Sequence, residues 1–357
     1  MTIDADSLPR SEGSGTDEGT DAPPRRRRTW PMLAALIVGV GLVLAPVAFQ
    51  MFTRAPKGRD MIDGFRPYMN EQTIGGFQQD MATIGEAADE LVAVRAELRA
   101  SGLDDTEIDA RLPLLATFEQ QWPAIDADMG DMLATMRDDI GDFEAVDALP
   151  SFDLFPWFFV VPGLLIAGAA GVGLVRARRG RSTTVEVLAL VVLGAGVVLA
   201  PVAFQMFERA PKGGDMIDDF RPLMTEAKVR QIQGYFVVLG GAEGTVRTQA
   251  LPLLATQAGE SPEQVLDRYP AVAEWGETWP GTSASMAPMI GAMADNLDNY
   301  AAVVALPPFP LFPWFFVVPG LLVVVFAGLG WRDRRPRGRA VEPMPETPSA
   351  QPPGEPS

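Results

Sequence analysis

Residues 45–52 read Ala-Pro-Val-Ala-Phe-Gln-Met-Phe, and the same eight residues return unchanged as residues 200–207. Extended to residues 45–69 against 200–224, the match holds at 21 of 25 positions, broken only at Thr53/Glu208, Arg59/Gly214, Gly64/Asp219 and Tyr68/Leu223. A second block, Leu154 to Leu165, matches Leu311 to Leu322 at all 12 positions. The blocks come in the same order in both halves. That order predicts a tandem parallel repeat, its copies related by an axis along the membrane normal.

These blocks decide the fold because they mark the ends of long apolar runs. Four stretches reach the ~20 apolar residues that a bilayer crossing needs: 30–52, 154–175, 185–207 and 311–331. None carries a charge in its middle, and Glu186 stands only at the edge of the third. Arginines 25–28 precede the first run, Arg176, Arg178, Arg179 and Arg181 separate the second from the third, and Arg332, Arg334, Arg335, Arg337 and Arg339 follow the fourth. The positive-inside rule makes all three segments cytoplasmic. Residues 53–153 and 208–310 are then expected outside, and both termini inside. Trp30 and Trp331 at the inner ends, with Trp157 and Trp314 near the outer ends, fit aromatic interface belts. The first run is read as a retained anchor, because its terminal octapeptide recurs deep in the chain.

The segments between the runs carry helical periodicity. Ile74, Phe77, Met81, Ile84, Ala88, Leu91 and Leu98 recur at three-and-four spacing, as do Ile125, Met129, Met132, Met136, Ile140, Phe143 and Val146. In the second half, Val229, Ile232, Phe236, Leu239, Val246, Ala250 and Leu253 do the same, followed by Met286, Met289, Met293, Leu297, Tyr300 and Val303. The expected fold is an all-α integral membrane protein with four transmembrane helices and two helical-hairpin extracytoplasmic domains. A short helix opened by a capping box should join the long helices of each hairpin, at Asp104/Glu107 and at Ser261/Gln264. The domain plan is tail 1–29, span 30–52, hairpin 53–153, span 154–175, cytoplasmic loop 176–184, span 185–207, hairpin 208–310, span 311–331 and tail 332–357. The tails are rich in Ser, Gly, Asp and Pro and are expected to be disordered.

Composition excludes much chemistry. The chain of 357 residues has no Cys and no His, which removes Cys/His zinc sites, disulfides, Ser-His-Asp triads and histidine pH switches. Its net charge of −17 is unevenly placed: 53–153 holds 8 basic and 22 acidic residues, 208–310 holds 7 and 13, and the remainder is slightly basic. Nucleic acid is therefore not an expected partner. No Walker, Rossmann or zincin motif is present, and the chain is read as no enzyme, with no cofactor and no metal.

Six groups of residues are candidates for function. Arg54, Lys57, Asp60, Asp63 and Arg66, with their copies Arg209, Lys212, Asp215, Asp218 and Arg221, gather at the outer membrane face as candidate contacts to lipid phosphates or to a partner. Their plain reading is headgroup anchoring with local ion pairs. Pro46, Pro162, Pro201 and Pro319 are expected helix kinks, static ones, since no ionisable group accompanies them; Gln50 and Gln205 nearby are read as interfacial. The methionines Met129, Met132, Met136, Met286, Met289 and Met293 resemble a Cu(I) stripe, but the stripe continues in Ile, Phe, Leu and Val and is read as core. Asp104, Asp105, Glu107 and Asp109 lack the turn glycine of a calcium loop, and Asp138, Asp139, Asp142 and Glu144 read as the solvated face of a helix. Gly168, Gly171 and Gly173 are expected to permit close helix packing.

The repeat, the segment Ser-Pro-Glu-Gln-Val-Leu-Asp-Arg-Tyr-Pro at 261–270 and the Ala-Leu-Pro endings at 148–150 and 305–307 resemble membrane proteins of unknown function from GC-rich Gram-positive bacteria of the actinobacterial type. That resemblance implies an architecture of span, helical external domain and span, twice over, and no activity. The layout also resembles bacterial chemoreceptor sensor regions, without a cytoplasmic output domain. The expected function is a non-enzymatic scaffold or accessory subunit of the cell envelope, with membrane lipid and a protein partner or second copy as partners. The alternatives are the handling of lipid or another hydrophobic molecule, a transporter-accessory role among them, and a sensor read out by another protein.

Overall fold

The computed structural model describes residues 29–332, and every regular element in that range is helical. The tails 1–28 and 333–357, with the arginines they carry, lie outside the described residues. Four helices are long and apolar enough to cross a membrane: α1 (Trp30–Ala48), α7 (Phe155–Arg178), α8 (Thr184–Ala203) and α15 (Phe312–Arg332). Each buries about a third of its apolar window against its neighbours. The rest faces outward, with Ile37, Val47, Leu164, Val192 and Leu199 all more than half exposed. An apolar belt of this extent needs a hydrocarbon solvent, so this is a membrane protein.

The spans pair as α1 with α7 and α8 with α15, and the two pairs meet along seams α1/α15 and α7/α8. Each pair is held by backbone approaching backbone. A Cβ on Gly39 would stand 2.9 Å from the Gly163 carbonyl oxygen and 2.7 Å from the Ala167 nitrogen; one on Gly320 would stand 2.8 Å from the Gly194 carbonyl. Lipid tails are as apolar as leucine, so span association depends on such close packing. The expected glycines Gly168 and Gly171 do not serve here, because nothing lies within 4 Å of a Cβ built on either; Gly173 does meet Met32 and Glu186.

The first and third spans, α1 and α8, end earlier than their apolar runs. Gln50 and Gln205 both adopt the left-handed conformation, at φ 54°, a region that non-glycine residues rarely occupy. They break the chain between α1 and α2 (Met51–Phe65), and between α8 and α9 (Met206–Phe220). These glutamines are therefore corners between a span and the helix that follows it rather than interfacial side chains within a span. Pro46 and Pro201 lie one turn before the corners, inside α1 and α8, and Pro162 and Pro319 inside α7 and α15.

Beyond the corners run α3 (Glu71–Ala100), α4 (Asp105–Arg111), α5 (Pro113–Asp138) and α6 (Ile140–Asp147), then, in the second half, α10 (Glu226–Thr245), α11 (Leu251–Ala258), α12 (Pro262–Leu266), α13 (Pro270–Asp295) and α14 (Leu297–Val304). Both capping boxes form: Asp104 accepts from the Glu107 N–H at 2.8 Å, and the Ser261 N–H donates to Gln264 at 2.9 Å. A π-helical turn, Val246–Ala250, precedes α11. It lies just ahead of Pro252, which has no N–H to give to the regular ladder. The extra residue shifts the buried stripe, so Leu254 is buried where the periodicity had placed Leu253.

The two segments between the spans are not separate hairpins. Helix α3 packs more extensively on α13 than on α5, and α10 more on α5 than on α13, so α3, α5, α10 and α13 close one four-helix bundle. The short helices cross as well: α6 lies on α9, and α14 on α2. All six stripe methionines are buried in the bundle core. Polar contacts follow the same crossing. Lys228 and Tyr235 of α10 reach Asp128 of α5 at 2.8 and 2.5 Å; Glu90 of α3 accepts from the Val272 N–H in the first turn of α13 at 3.0 Å.

Down the middle, matching positions of the two halves meet each other. Phe118 stacks on Trp275 with ring centroids 5.5 Å apart, Phe159 stacks on Phe316 at 4.4 Å, and Phe155 meets Phe312 at 5.8 Å. A residue touches its own counterpart only near a two-fold axis.

Candidate functional site

The juxtamembrane residues singled out in the sequence are drawn into the crossing. Arg54 on α2 donates to the Ala305 carbonyl at the end of α14, 2.7 Å away, and Arg209 on α9 donates to the Ala148 carbonyl at the end of α6, 2.8 Å away. Each arginine thus satisfies a free C-terminal carbonyl of the opposite half, where a cation also suits the helix dipole. Lys212 pairs with Asp142 of α6 at 3.3 Å. The position matching Asp142 is Asn299, so Lys57 has no acid in that place. Arg66 bridges Asp63 and Asp147, each at 2.6 Å, and Arg221 pairs with Asp218 at 2.6 Å. Those last pairs are exposed and contribute little stability. Asp60 and Asp215 are exposed.

On the axis the space is closed. A chamber lined by Met61, Phe65 and Met69 with Met216, Phe220 and Met224 has a volume of about 30 Å³, room for about one water but with no polar wall to hold it. A second chamber beneath it, beside Phe152 and Phe309, measures about 10 Å³. Neither admits a ligand.

The seams are open. Between α7 and α8 lies an apolar groove of about 220 Å³, and between α1 and α15 one of about 260 Å³. Their walls correspond: Gly196, Ala200, Phe204, Pro162 and Pro150 line the first, and Gly41, Ala45, Phe49, Pro319 and Pro307 line the second. A Cβ on Gly41 or Gly196 would meet nothing within 4 Å, so these two glycines keep the grooves open. No family model, curated protein or solved structure matches the chain. The site must therefore be read from its own geometry.

That geometry is an amphipathic one, repeated. Each groove belongs to both halves, lies in the part of the spans nearest the bundle, and ends at a loop held by an arginine: Pro150 stands two residues from the Ala148 carbonyl taken by Arg209, and Pro307 two from the Ala305 carbonyl taken by Arg54. Tryptophans mark the same level, Trp157 against Phe52 and Trp314 against Phe207. The sequence located the prolines and the basic residues. It did not locate Gly41 and Gly196, since a glycine in an apolar run looks alike whether it packs, as Gly39 does, or leaves space.

Proposed function

We propose that this is a non-enzymatic membrane protein of the cell envelope, a tandem parallel repeat with cytoplasmic termini and an extracytoplasmic bundle, that holds membrane phospholipid in its two seams. The observation that supports this is the pair of matching apolar grooves with basic residues at their mouths. Inside a bilayer an acyl chain gains no hydrophobic free energy by entering a groove, because the lipid it leaves is equally apolar. Packing and headgroup charge then set the preference, and Arg54, Lys57 and Arg209 favour an anionic headgroup. A second reading, the scaffold or accessory subunit, draws on the difference between the joints: α6 presents Asp142, Glu144 and Asp147 where α14 has Asn299, Ala301 and Val304. A partner would meet that charged surface, since the apolar stripes are spent inside the bundle.

Gly41→Leu and Gly196→Leu test the lipid reading. Each fills one groove without a clash, so unfolding should be little changed. Native mass spectrometry of protein released from lipid nanodiscs should show two retained phospholipids for the wild type, one for either variant and none for the double variant. An unchanged lipid count in a folded double variant would remove the proposal.

A further inference from the structure

Asp139, read from the sequence as part of a solvated face, is instead 4% exposed, and its Oδ2 is buried without a hydrogen-bond partner. It links α5 to α6 at the joint where α6 lies on α9. The opposite joint, between α14 and α2, has Asn296 in the matching place, and both ends of that side chain are engaged: its amide donates to the Ala292 carbonyl at 2.8 Å and its oxygen accepts from Asn299 at 2.9 Å. Across from Asn296 stands Gly64, close enough that a Cβ would lie 2.7 Å from the Asn296 amide nitrogen. Across from Asp139 the corresponding residue is Asp219. One joint thus pairs an amide with a glycine, the other a buried carboxyl with a second acid.

The charges around Asp139 are nearly all of its own sign. Asp215 and Asp219 face it from α9, and Asp138 and Asp142 stand on its own chain. The two basic residues that α9 brings are engaged, Arg209 by the Ala148 carbonyl and Lys212 by Asp142. Toward this end of α5, Glu71 of α3 pairs with Arg137 and Lys228 of α10 pairs with Asp128, while Arg95 of α3 pairs with Glu119. Burial first, then Asp219 and the other acids, push the Asp139 carboxyl up to about 6. A protonated Asp139 gains the donor that Asn296 has, and the carbonyl four residues back, that of Thr135, matches the Ala292 carbonyl that Asn296 uses. A metal ion does not answer the cluster as well, since no three acidic side chains among the described residues converge to hold one.

We propose that Asp139 is a proton-binding site that sets the grip of the α6–α9 joint: protonated it holds the joint as Asn296 holds its counterpart, and ionised it loosens the joint against Asp219. The two halves then differ in function, with one joint fixed and the other responsive to the acidity outside. The loosened element leads directly into Ala148 and the mouth of the α7/α8 groove. The inference stands on the joint itself and does not depend on what the grooves hold.

The sign follows from proton counting. An acid whose folded value lies above its ordinary 3.8 keeps a proton in the closed joint that the open joint releases, so closure weakens as pH rises from about 4 to about 6 and is constant above. Between pH 5 and pH 8 this amounts to a roughly 10-fold rise in opening of α6. Hydrogen exchange of the full chain in nanodiscs, corrected for intrinsic chemical rates, reads it out, with α14 as internal control. The wild type should show the rise in α6 and not in α14, and Asp139→Asn, which copies the other joint and so preserves the fold, should abolish it. Equal α6 protection at both pH values, an equal rise in α14, or a rise that survives in Asp139→Asn would each overturn the proposal.

Discussion

Trp275→Ala should destabilise the four-helix bundle beyond the spans by about 3–5 kcal/mol, the range for truncating a large buried aromatic, and should loosen helices of both halves together. Trp275 is 1% exposed and stacks on Phe118 of the opposite half. If each half folded its own hairpin, a hole made at Trp275 would spare α3 and α5. Crossed packing places α3 directly on α13 and gives the hole to all four helices. Protection from hydrogen exchange should therefore fall in α3 and α5 as well as in α10 and α13. Trp275→Phe, which copies Phe118, should cost far less: it keeps a ring in the stack and removes an indole N–H that is buried without a partner.

The second large effect belongs to the spans. Gly39→Leu forces a side chain into the backbone of α7, where Gly163 and Ala167 stand within 3 Å of the new Cβ. Backbone cannot rotate away as a side chain can, so the cost should reach the upper end of the overpacking range, about 3 kcal/mol. Gly320→Leu should do the same to the α8/α15 pair, where the Gly194 carbonyl and Val198 close the space. Gly168→Leu and Gly171→Leu should be nearly silent, because their faces are open. Unfolding in graded denaturing detergent separates these groups. Equal sensitivity of all four positions would count against the packing described.

What the sequence made legible follows from which forces are local. The four spans were visible because hydrocarbon thickness imposes a length and an apolar composition on each one. Both capping boxes were visible because their residues satisfy one another within a single turn. The corners at Gln50 and Gln205 were not, since glycine is the usual sign of a left-handed residue and glutamine gives no such sign. The shift from Leu253 to Leu254 depended on the π turn that Pro252 induces. Asp139 was misread because helical periodicity tells which face is apolar and not which partner will cover the rest; the helix that buries it, α9, lies in the other half. The same blindness hid the crossing, since each stripe would be equally well buried by its own half or by the opposite one.

The crossing is the claim on which the rest depends, and the absence of native cysteine makes it directly testable. A Cβ on Gly213 would lie 3.1 Å from Val146 of the first half, and one on Gly58 would lie 3.4 Å from Val303 of the second. Cysteines should be placed at 213 and 146 in a chain carrying a protease site between residues 179 and 183, then oxidised, cleaved and run without reductant. A disulfide is expected within one chain, so that the cleaved halves migrate together, while cysteines at 213 and 303, both in the second half, do not join. A disulfide between 213 and 303, or a 213–146 link found only between two chains, would contradict the crossing.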